Sequence, residues 1–366
     1  MTPADRLFME RAYELAARGI GNTAPNPAVG AVLVRDGRIV GEGYHHRAGE
    51  PHAEVNALAQ AGDARGATAY VTLEPCNHVG RTPACSRALL DAGVARVVVG
   101  TVDPNPKTNG GGIALLRAHG VAVEILDDER ARRLIEPFAF AITHDRPYLA
   151  LKMAMSLDGR ITSRPGVQEW ITSEEERLYV RDLRIAHDAV MVGAGTVRVD
   201  DPQLTVRPAS HRLRPYTRVV VCETDTVPET SRVFAARDDY ATTLVLAPAG
   251  ARERFANLDR VAEVLFVGGE DATQLDLGAA MRALRERGVQ SVLCEGGPTL
   301  GARLIAAGVV NRLYWAIAPV LLTTEAAVPV LAGADLATLG ARVRFDGVEM
   351  VGADVVLTGV MEQPRV

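Results

Sequence analysis

His52 and Glu54 stand two residues apart in the stretch EPHAEVNAL, at what reads as the mouth of a helix. Downstream, YVTLEPCNHVGRTPAC supplies Cys76 directly after Pro75, where a strand is expected to end, and Cys85 nine residues later. One imidazole and two thiolates are borderline and soft ligands of the kind that bind zinc, and three of them leave the fourth tetrahedral position open for water. A structural zinc site closes all four positions, so this pattern is that of a catalytic one. Glu54 then becomes the proton carrier, because a carboxylate beside an activated water can take its proton and hand it to a departing amine. H-x-E followed by P-C and a second cysteine suits hydrolytic removal of an amino group from a nitrogen heterocycle. The parts say less singly: a helix start often carries polar residues, and two cysteines can be core thiols. On chemistry alone His78, two after Cys76, is a rival ligand.

The elements that must hold these residues can be read from local signals. Thr2 as N-cap, Pro3 at the first helical position and Asp5 three after the cap predict a helix from about Pro3 to Arg18, closed by Gly19. Asp36-Gly37 between two apolar runs predicts a hairpin. Alternation follows: a helix from about Ala53 to Ala61, a strand in ATAYVTLE, a helix after Cys85, a strand in ARVVVG, a helix near IALLRAHG and a strand in VAVEIL. A polar turn at His144 to Pro147 breaks the rhythm and sets the expected boundary between domains of residues 1–145 and 146–366. In the second half strands are expected in YLALKMAMS, DAVMVG, TRVVVC, TTLVLA, AEVLFVG, SVLCEGG and NRLYWAIAP, with helices in SEEERLYVRDLR, LGAAMRALRERG and LGARLIAAG. Both halves therefore read as α/β.

Composition narrows the class. With 366 residues, 48% of them hydrophobic, the chain can bury two cores. A net charge of −5 without a Lys/Arg cluster argues against nucleic-acid binding. No apolar run approaches the roughly 20 residues that span a bilayer, and the first residues lack the apolar region of a signal peptide. Cys76, Cys85, Cys222 and Cys294 are too scattered for a disulfide framework, so a cytoplasmic location is expected. In CEGGPTLGARLIAAG a glycine pair opens a helix whose unpaired N–H groups could meet a phosphate, whereas no G-x-G-x-x-G follows the first strand of either half.

Three segments, APNPAVGAVLV, GEGYHHRAGEPHAEVNAL and TLEPCNHVGRTPACSRAL, resemble nearly residue for residue the deaminase half of the bifunctional RibD family of riboflavin biosynthesis. LKMAMSLDGRI, EWITSEEER, VGAGTVRVDDPQLTVR and CEGGPTL, in that order, resemble its reductase half. The resemblance implies an N-terminal cytidine-deaminase-like α/β/α sandwich and a C-terminal dihydrofolate-reductase-like α/β domain. It implies that His52, Cys76 and Cys85 bind one zinc ion per chain, that Glu54 shuttles the proton, and that Asn26, His45, His78 and Arg81 contact substrate. In the reductase half it implies substrate contacts from Lys152, Gln168, Arg184, Leu204, Arg207 and Glu295. NADPH contacts would come from Ala154, Trp170, Thr196, Asp200 and the loop Gly297, Pro298, Thr299 and Leu300. The implied partner is a phosphorylated pyrimidine, deaminated and then reduced at its ribosyl group, and the implied assembly is a homo-oligomer.

Residue chemistry agrees in places. Arg184 and Arg207 are forked donors suited to a sugar phosphate, or to surface ion pairs. Trp170 offers a flat apolar face. Lys152 and Glu295 stand at inner strand ends, where a charge is costly unless it is functional or paired, and a salt bridge between them is the competing explanation. Lys152, Asp200 and Glu295 are the candidate proton donors. Five positions depart from the family pattern: Ala84 replaces a proline, Gln168 replaces a contact serine, Cys222-Glu223 replaces Asp-Ser, and Met155 replaces a smaller residue beside the nicotinamide region. Glu223 near a cofactor phosphate would repel it, so an inactive reductase half is a rival. Other rivals are a deaminase of RNA bases and a non-catalytic zinc-stabilised binding module.

Overall fold

The capping box at the N-terminus forms as its residues require. In the computed structural model, which describes residues 2–77, 84–106, 108–206, 212, 214, 216–235 and 243–362, two compact units divide at His144, Met1–His144 and Asp145–Val366. The first contains α1 (Pro3–Ala17), β1 (Gly30–Arg35), β2 (Arg38–Tyr44), α2 (Ala53–Ala61), β3 (Thr68–Val71), α3 (Cys85–Asp91), β4 (Arg96–Val99), α4 (Gly111–Ala118), β5 (Ala122–Ile125) and α5 (Glu129–Thr143). Its sheet runs β2-β1-β3-β4-β5, with β1 antiparallel to both neighbours and β3, β4 and β5 parallel. Asp36 and Gly37 both take positive φ, the geometry a two-residue hairpin turn needs. Strand alternation then sorts the core. Ala31 and Leu33 face residues of α2, α3 and α4, whereas Val32 and Val34 face α1 and α5, giving three layers.

Asp5 joins those layers. Its carboxylate accepts from the Thr2 N–H at 2.7 Å, the Tyr70 hydroxyl at 2.7 Å and Arg96 Nη1 at 2.7 Å, while its own N–H donates to Thr2 Oγ1 at 3.1 Å. The Arg96 guanidinium, more than the other donors, holds this buried carboxyl well below the ordinary carboxylate range. Asp5→Asn is therefore expected to destabilise the protein by about 2–4 kcal/mol, through a weakened capping box and the loss of charge-assisted bonds. Because the folded-state pKa is depressed, this contribution is full above the unfolded value near 4 and fades as pH falls below it. Urea unfolding between about pH 5 and pH 2 should show the gap between wild type and variant closing; a constant gap would contradict it.

The second unit contains β6 (Tyr148–Ser156), β7 (Arg160–Thr162), α6 (Glu174–Ala186), β8 (Ala189–Gly193), α7 (Ala194–Asp200), β9 (Thr217–Val221), β10 (Thr243–Pro248), α8 (Arg252–Phe255), β11 (Glu263–Val267), α9 (Leu277–Glu286), β12 (Ser291–Cys294), α10 (Pro298–Ala306), β13 (Arg312–Ala318), β14 (Val328–Pro329), β15 (Arg342–Val351) and β16 (Asp354–Glu362). Among the described residues nine strands form one mixed sheet, β11-β10-β9-β8-β12-β6-β13-β16-β15. It is parallel from β11 to β13 and antiparallel from β13 to β15. Leu149, Leu151 and Met191 pack on one face with α9 and α10, while Val190, Val192 and Val220 pack on the other. The β15/β16 hairpin and α7 were not among the expected elements. In β15 Phe345, Val348 and Met350 are exposed, and its register with β16 shifts between Phe345 and Gly347, so the strand lacks a clean two-residue alternation. Among the described residues no helix is long and apolar enough to cross a membrane.

Candidate active site

His52 is the N-cap of α2, with extended backbone and no capping bond from its side chain, which leaves the ring free to turn toward the two sulfurs. Its Nδ1 lies 3.2 Å from Cys85 Sγ and 3.6 Å from Cys76 Sγ, and all three donor atoms fall within 4.8 Å of one another. Ordinary Zn–N and Zn–S bonds at a tetrahedral centre place such donors about 3.6 Å apart, so donor types and spacing both fit zinc. The first turn of α3 fixes the arrangement: the Cys85 N–H donates to Cys76 Sγ at 3.3 Å, and Ser86 gives both its N–H and its hydroxyl to the Cys76 carbonyl, at 3.0 and 2.9 Å. Ala84, the departure from proline, is the N-cap of that helix and leaves Cys85 in place.

These contacts shift the ionisation of each group in a definite direction. Donation from Cys85, then from His52, holds the Cys76 thiol well below its ordinary range, and Cys85, as donor and buried, is pushed up. His52 is raised by its bond to Cys76. Glu54, in the first turn of α2 and 4% exposed, is pushed up to about 7, chiefly by burial and next by the charge on Cys76. A buried carboxyl that can hold or release a proton near neutrality thus stands beside a metal-ligand set.

His45 is buried in the same region. Its Nδ1 lies 3.1 Å from the Pro51 carbonyl, which assigns the proton to that nitrogen, so Nε2 accepts from Asn26 Nδ2 at 3.1 Å. Burial lowers its pKa and favours the neutral ring. Both ring nitrogens are thereby committed to protein partners, and the Asn26 amide is turned with its oxygen away from His45. His78 and Arg81 lie outside the described residues.

In the second unit a cleft of about 970 Å³ opens at the carboxyl ends of β6, β8, β9 and β12, where open α/β sheets bind ligands. Lys152 and Ala154 of β6 line it, as do Gln168 and Trp170 of the loop before α6, Arg184 of α6, and Thr196 and Asp200 of α7. Glu295 and the segment Gly297, Pro298, Thr299 and Leu300, at the mouth of α10, complete it. Gly297 takes φ 44°, and a Cβ there would sit 3.2 Å from Thr196 Oγ1. Leu204 also lines the cleft, with φ 49°, and is only 2% exposed, packed in the core below. Trp170 is 68% exposed, with the Arg177 guanidinium 5.1 Å from its ring centre. Arg207 lies outside the described residues.

The charged residues of the cleft pair in a way that removes the competing explanation of a Lys152–Glu295 salt bridge. Lys152 and Glu295 do not bridge each other. Lys152 Nζ meets Glu176 Oε1 at 2.8 Å, and Glu176, 1% exposed, also accepts from Thr172 Oγ1 at 2.9 Å. Glu295 is gripped by the Arg184 fork, through Nε and, at 2.6 Å, through Nη2, while Arg184 Nη1 donates to the Thr205 carbonyl at 2.9 Å. Arg184 is thus an ion-pair partner inside the cleft and not a free phosphate fork. Glu223 lines the cleft with its charge compensated: one oxygen accepts from the Leu275 N–H at 2.8 Å and the other pairs with Arg303. Met155 meets the Trp315 indole N–H through its sulfur at 3.2 Å, on the adjoining strand, and so does not narrow the cleft. Burial raises the Asp200 carboxyl. Glu176 and Arg303 escaped sequence reasoning. The acidic run Glu174, Glu175 and Glu176 looks like an ordinary helix start, and only the last of the three is buried.

The model of the cytidine and deoxycytidylate deaminase zinc-binding region matches residues 2–101, and that of the RibD C-terminal domain matches residues 147–357. The riboflavin biosynthesis protein RibD of Escherichia coli strain K12 is 40% identical over 96% of this chain and 98% of its own length. That of Aquifex aeolicus is 39% identical over 96% and 97%. Among solved structures, Acinetobacter baumannii RibD matches with a TM-score of 0.83 and 35% identity over 98% of this chain and 99% of its own. A Thermotoga maritima structure described as a diaminohydroxyphosphoribosylaminopyrimidine deaminase/5-amino-6-(5-phosphoribosylamino)uracil reductase matches with a TM-score of 0.85 and 33% identity over 98% of each chain. With a zinc-binding deaminase region followed by a reductase domain, and relatives of this identity over nearly its whole length, the chain belongs to the RibD family of bifunctional deaminase/reductase enzymes of riboflavin biosynthesis.

Proposed function

We propose that the N-terminal unit deaminates 2,5-diamino-6-ribosylamino-4(3H)-pyrimidinone 5′-phosphate and that the C-terminal unit reduces the product's ribosyl side chain to ribityl with NADPH, giving 5-amino-6-ribitylamino-uracil 5′-phosphate. The observation that carries the reading is the buried Glu54 beside a zinc-type donor set of His52, Cys76 and Cys85. Bound zinc supplies the Lewis acidity that makes water a nucleophile at neutral pH. Around it, His52, Cys76 and Cys85 hold the ion, and Glu54 takes the water's proton and delivers it to the departing amino nitrogen. Asn26, oriented by His45, holds the pyrimidine, with His78 and Arg81 as its further contacts.

In the reductase cleft bound NADPH supplies the hydride. The N–H groups at the mouth of α10 and the segment Gly297 to Leu300 favour its phosphates, while Trp170, Thr196, Asp200 and Ala154 flank its remainder. With Arg184 committed to Glu295, that pair meets sugar hydroxyls, and the substrate phosphate falls to Arg207. Leu204 and Gln168 close around the sugar. The Lys152 ammonium, held by Glu176, carries the proton for the reduction. The compensation of Glu223 by Arg303 favours an active reductase over a deaminase with a silent second half. The protein so described acts in the cytoplasm as a homo-oligomer.

Mass spectrometry of the substrate incubated with the protein tests this. The expected result is exchange of an amino group for oxygen without NADPH and gain of two hydrogens once NADPH is added. Deamination alone would remove the reductase assignment, and an unchanged substrate would remove both.

A further inference from the structure

The chain that delivers Cys76 is anchored two residues earlier by a carboxylate the reaction does not use. Glu74 is 3% exposed and accepts four backbone N–H bonds: Asp103 at 3.2 Å and Gly110 at 2.8 Å on Oε2, Gly112 at 3.0 Å and Ile113 at 3.2 Å on Oε1. These include the unpaired donors of the first turn of α4, where an anion is favoured by both the open N–H groups and the helix dipole. Backbone contact closes the same joint. A Cβ on Gly112 would lie 1.8 Å from the Pro75 carbonyl oxygen, so that position requires glycine, and one on Gly111 would lie 2.1 Å from the Asn77 side-chain amide, which would have to turn aside. The Glu74 N–H donates to the Thr101 carbonyl at 3.0 Å, while the Cys76 carbonyl is held from the other side by Ser86. Residues 74–77 are therefore clamped between α4 and the start of α3, with a metal-ligand candidate inside the clamp.

We propose that Glu74 is a positioning residue of the metal centre: by binding the first turn of α4 it fixes the backbone that aims Cys76 at His52 and Cys85. This rests on Cys76 being a zinc ligand. Glu74→Gln keeps the shape but turns an amide N–H₂ toward two of the four donors. In the full-length variant the zinc dissociation constant, measured by competition with a chromophoric chelator, should rise about 10- to 100-fold, as for other groups that orient a ligand. The cobalt-substituted variant should show altered thiolate-to-metal and ligand-field absorption. Coupling is reciprocal, so zinc loading of the wild-type protein should slow hydrogen exchange in peptides containing Gly110, Gly112 and Ile113, none of which is a ligand.

A folded Glu74→Gln variant with wild-type zinc affinity and cobalt spectrum overturns the proposal. So does amide exchange indifferent to zinc, which decides alone should the variant fail to fold. Cys76→Ser run alongside separates the two layers. If it lost zinc while Glu74→Gln kept it, only the positioning role would fall; if Cys76→Ser kept wild-type affinity, the ligand assignment would fall and the proposal with it.

Discussion

Glu54→Gln retains one zinc ion per chain and deaminates about 100- to 10,000-fold more slowly than the wild type, the span usually lost with a general acid–base group. The carboxamide has the size of the carboxyl and fills the same buried space in the first turn of α2, so the ligands His52, Cys76 and Cys85 keep their positions. What it cannot do is carry a proton from water to the leaving nitrogen. The metal content of the purified variant and its rate of ammonia release are the two measurements. Intact zinc with lost rate supports the assignment; unchanged rate removes Glu54 from the mechanism, and lost zinc makes it part of the metal site. Reduction of already deaminated substrate by the same variant should run at the wild-type rate.

Lys152→Met should abolish reduction and destabilise the C-terminal unit while deamination continues. Two effects add here. The cation proposed to hold the transferable proton disappears, which by analogy with removal of other buried electrostatic donors costs about 100- to 1,000-fold in rate. Glu176, almost wholly buried, also loses the partner that compensates its charge, and an orphaned buried ion costs about 3–5 kcal/mol. The double substitution Lys152→Met, Glu176→Gln separates them, since it removes the orphaned charge without restoring the proton. Unfolding curves should show recovery of stability in the double variant, with NADPH oxidation remaining at the background rate. Recovery of both, or of neither, would contradict the assignment.

Local signals explain why so much could be read before the structure. The helix start at Thr2, the turn at Asp36-Gly37 and the span Ala53–Ala61 rest on residues within a few positions of one another, and each forms as read. His52, Cys76 and Cys85 were legible because the ligand types are rare and His52 and Cys85 sit at helix mouths, with Cys76 in the loop that follows β3. Charge pairing was not legible. Lys152 and Glu295 lie on β6 and just past the adjacent β12, yet one partner comes from Glu176 and the other from Arg184, both on α6. Which turn of an amphipathic helix faces the sheet decides this, and three glutamates in a row do not reveal it. Glu74 escaped notice for a related reason: its four partners are backbone N–H groups, which leave no mark in the side-chain sequence.

The pairing of Glu223 with Arg303 bears on how such a cleft can change over generations. Either residue replaced alone strands a half-buried charge of one sign in the cleft where the proposed NADPH would enter. Arg303 lost first leaves an anion facing the ligand, while Glu223 lost first leaves a cation still braced on the Leu275 carbonyl, which an anionic ligand tolerates. The two routes out of the pair are therefore unequal. Drift can pass through the loss of the glutamate but meets a barrier at the loss of the arginine, so the order of mutations, and not only their sum, determines which descendants keep a working cleft.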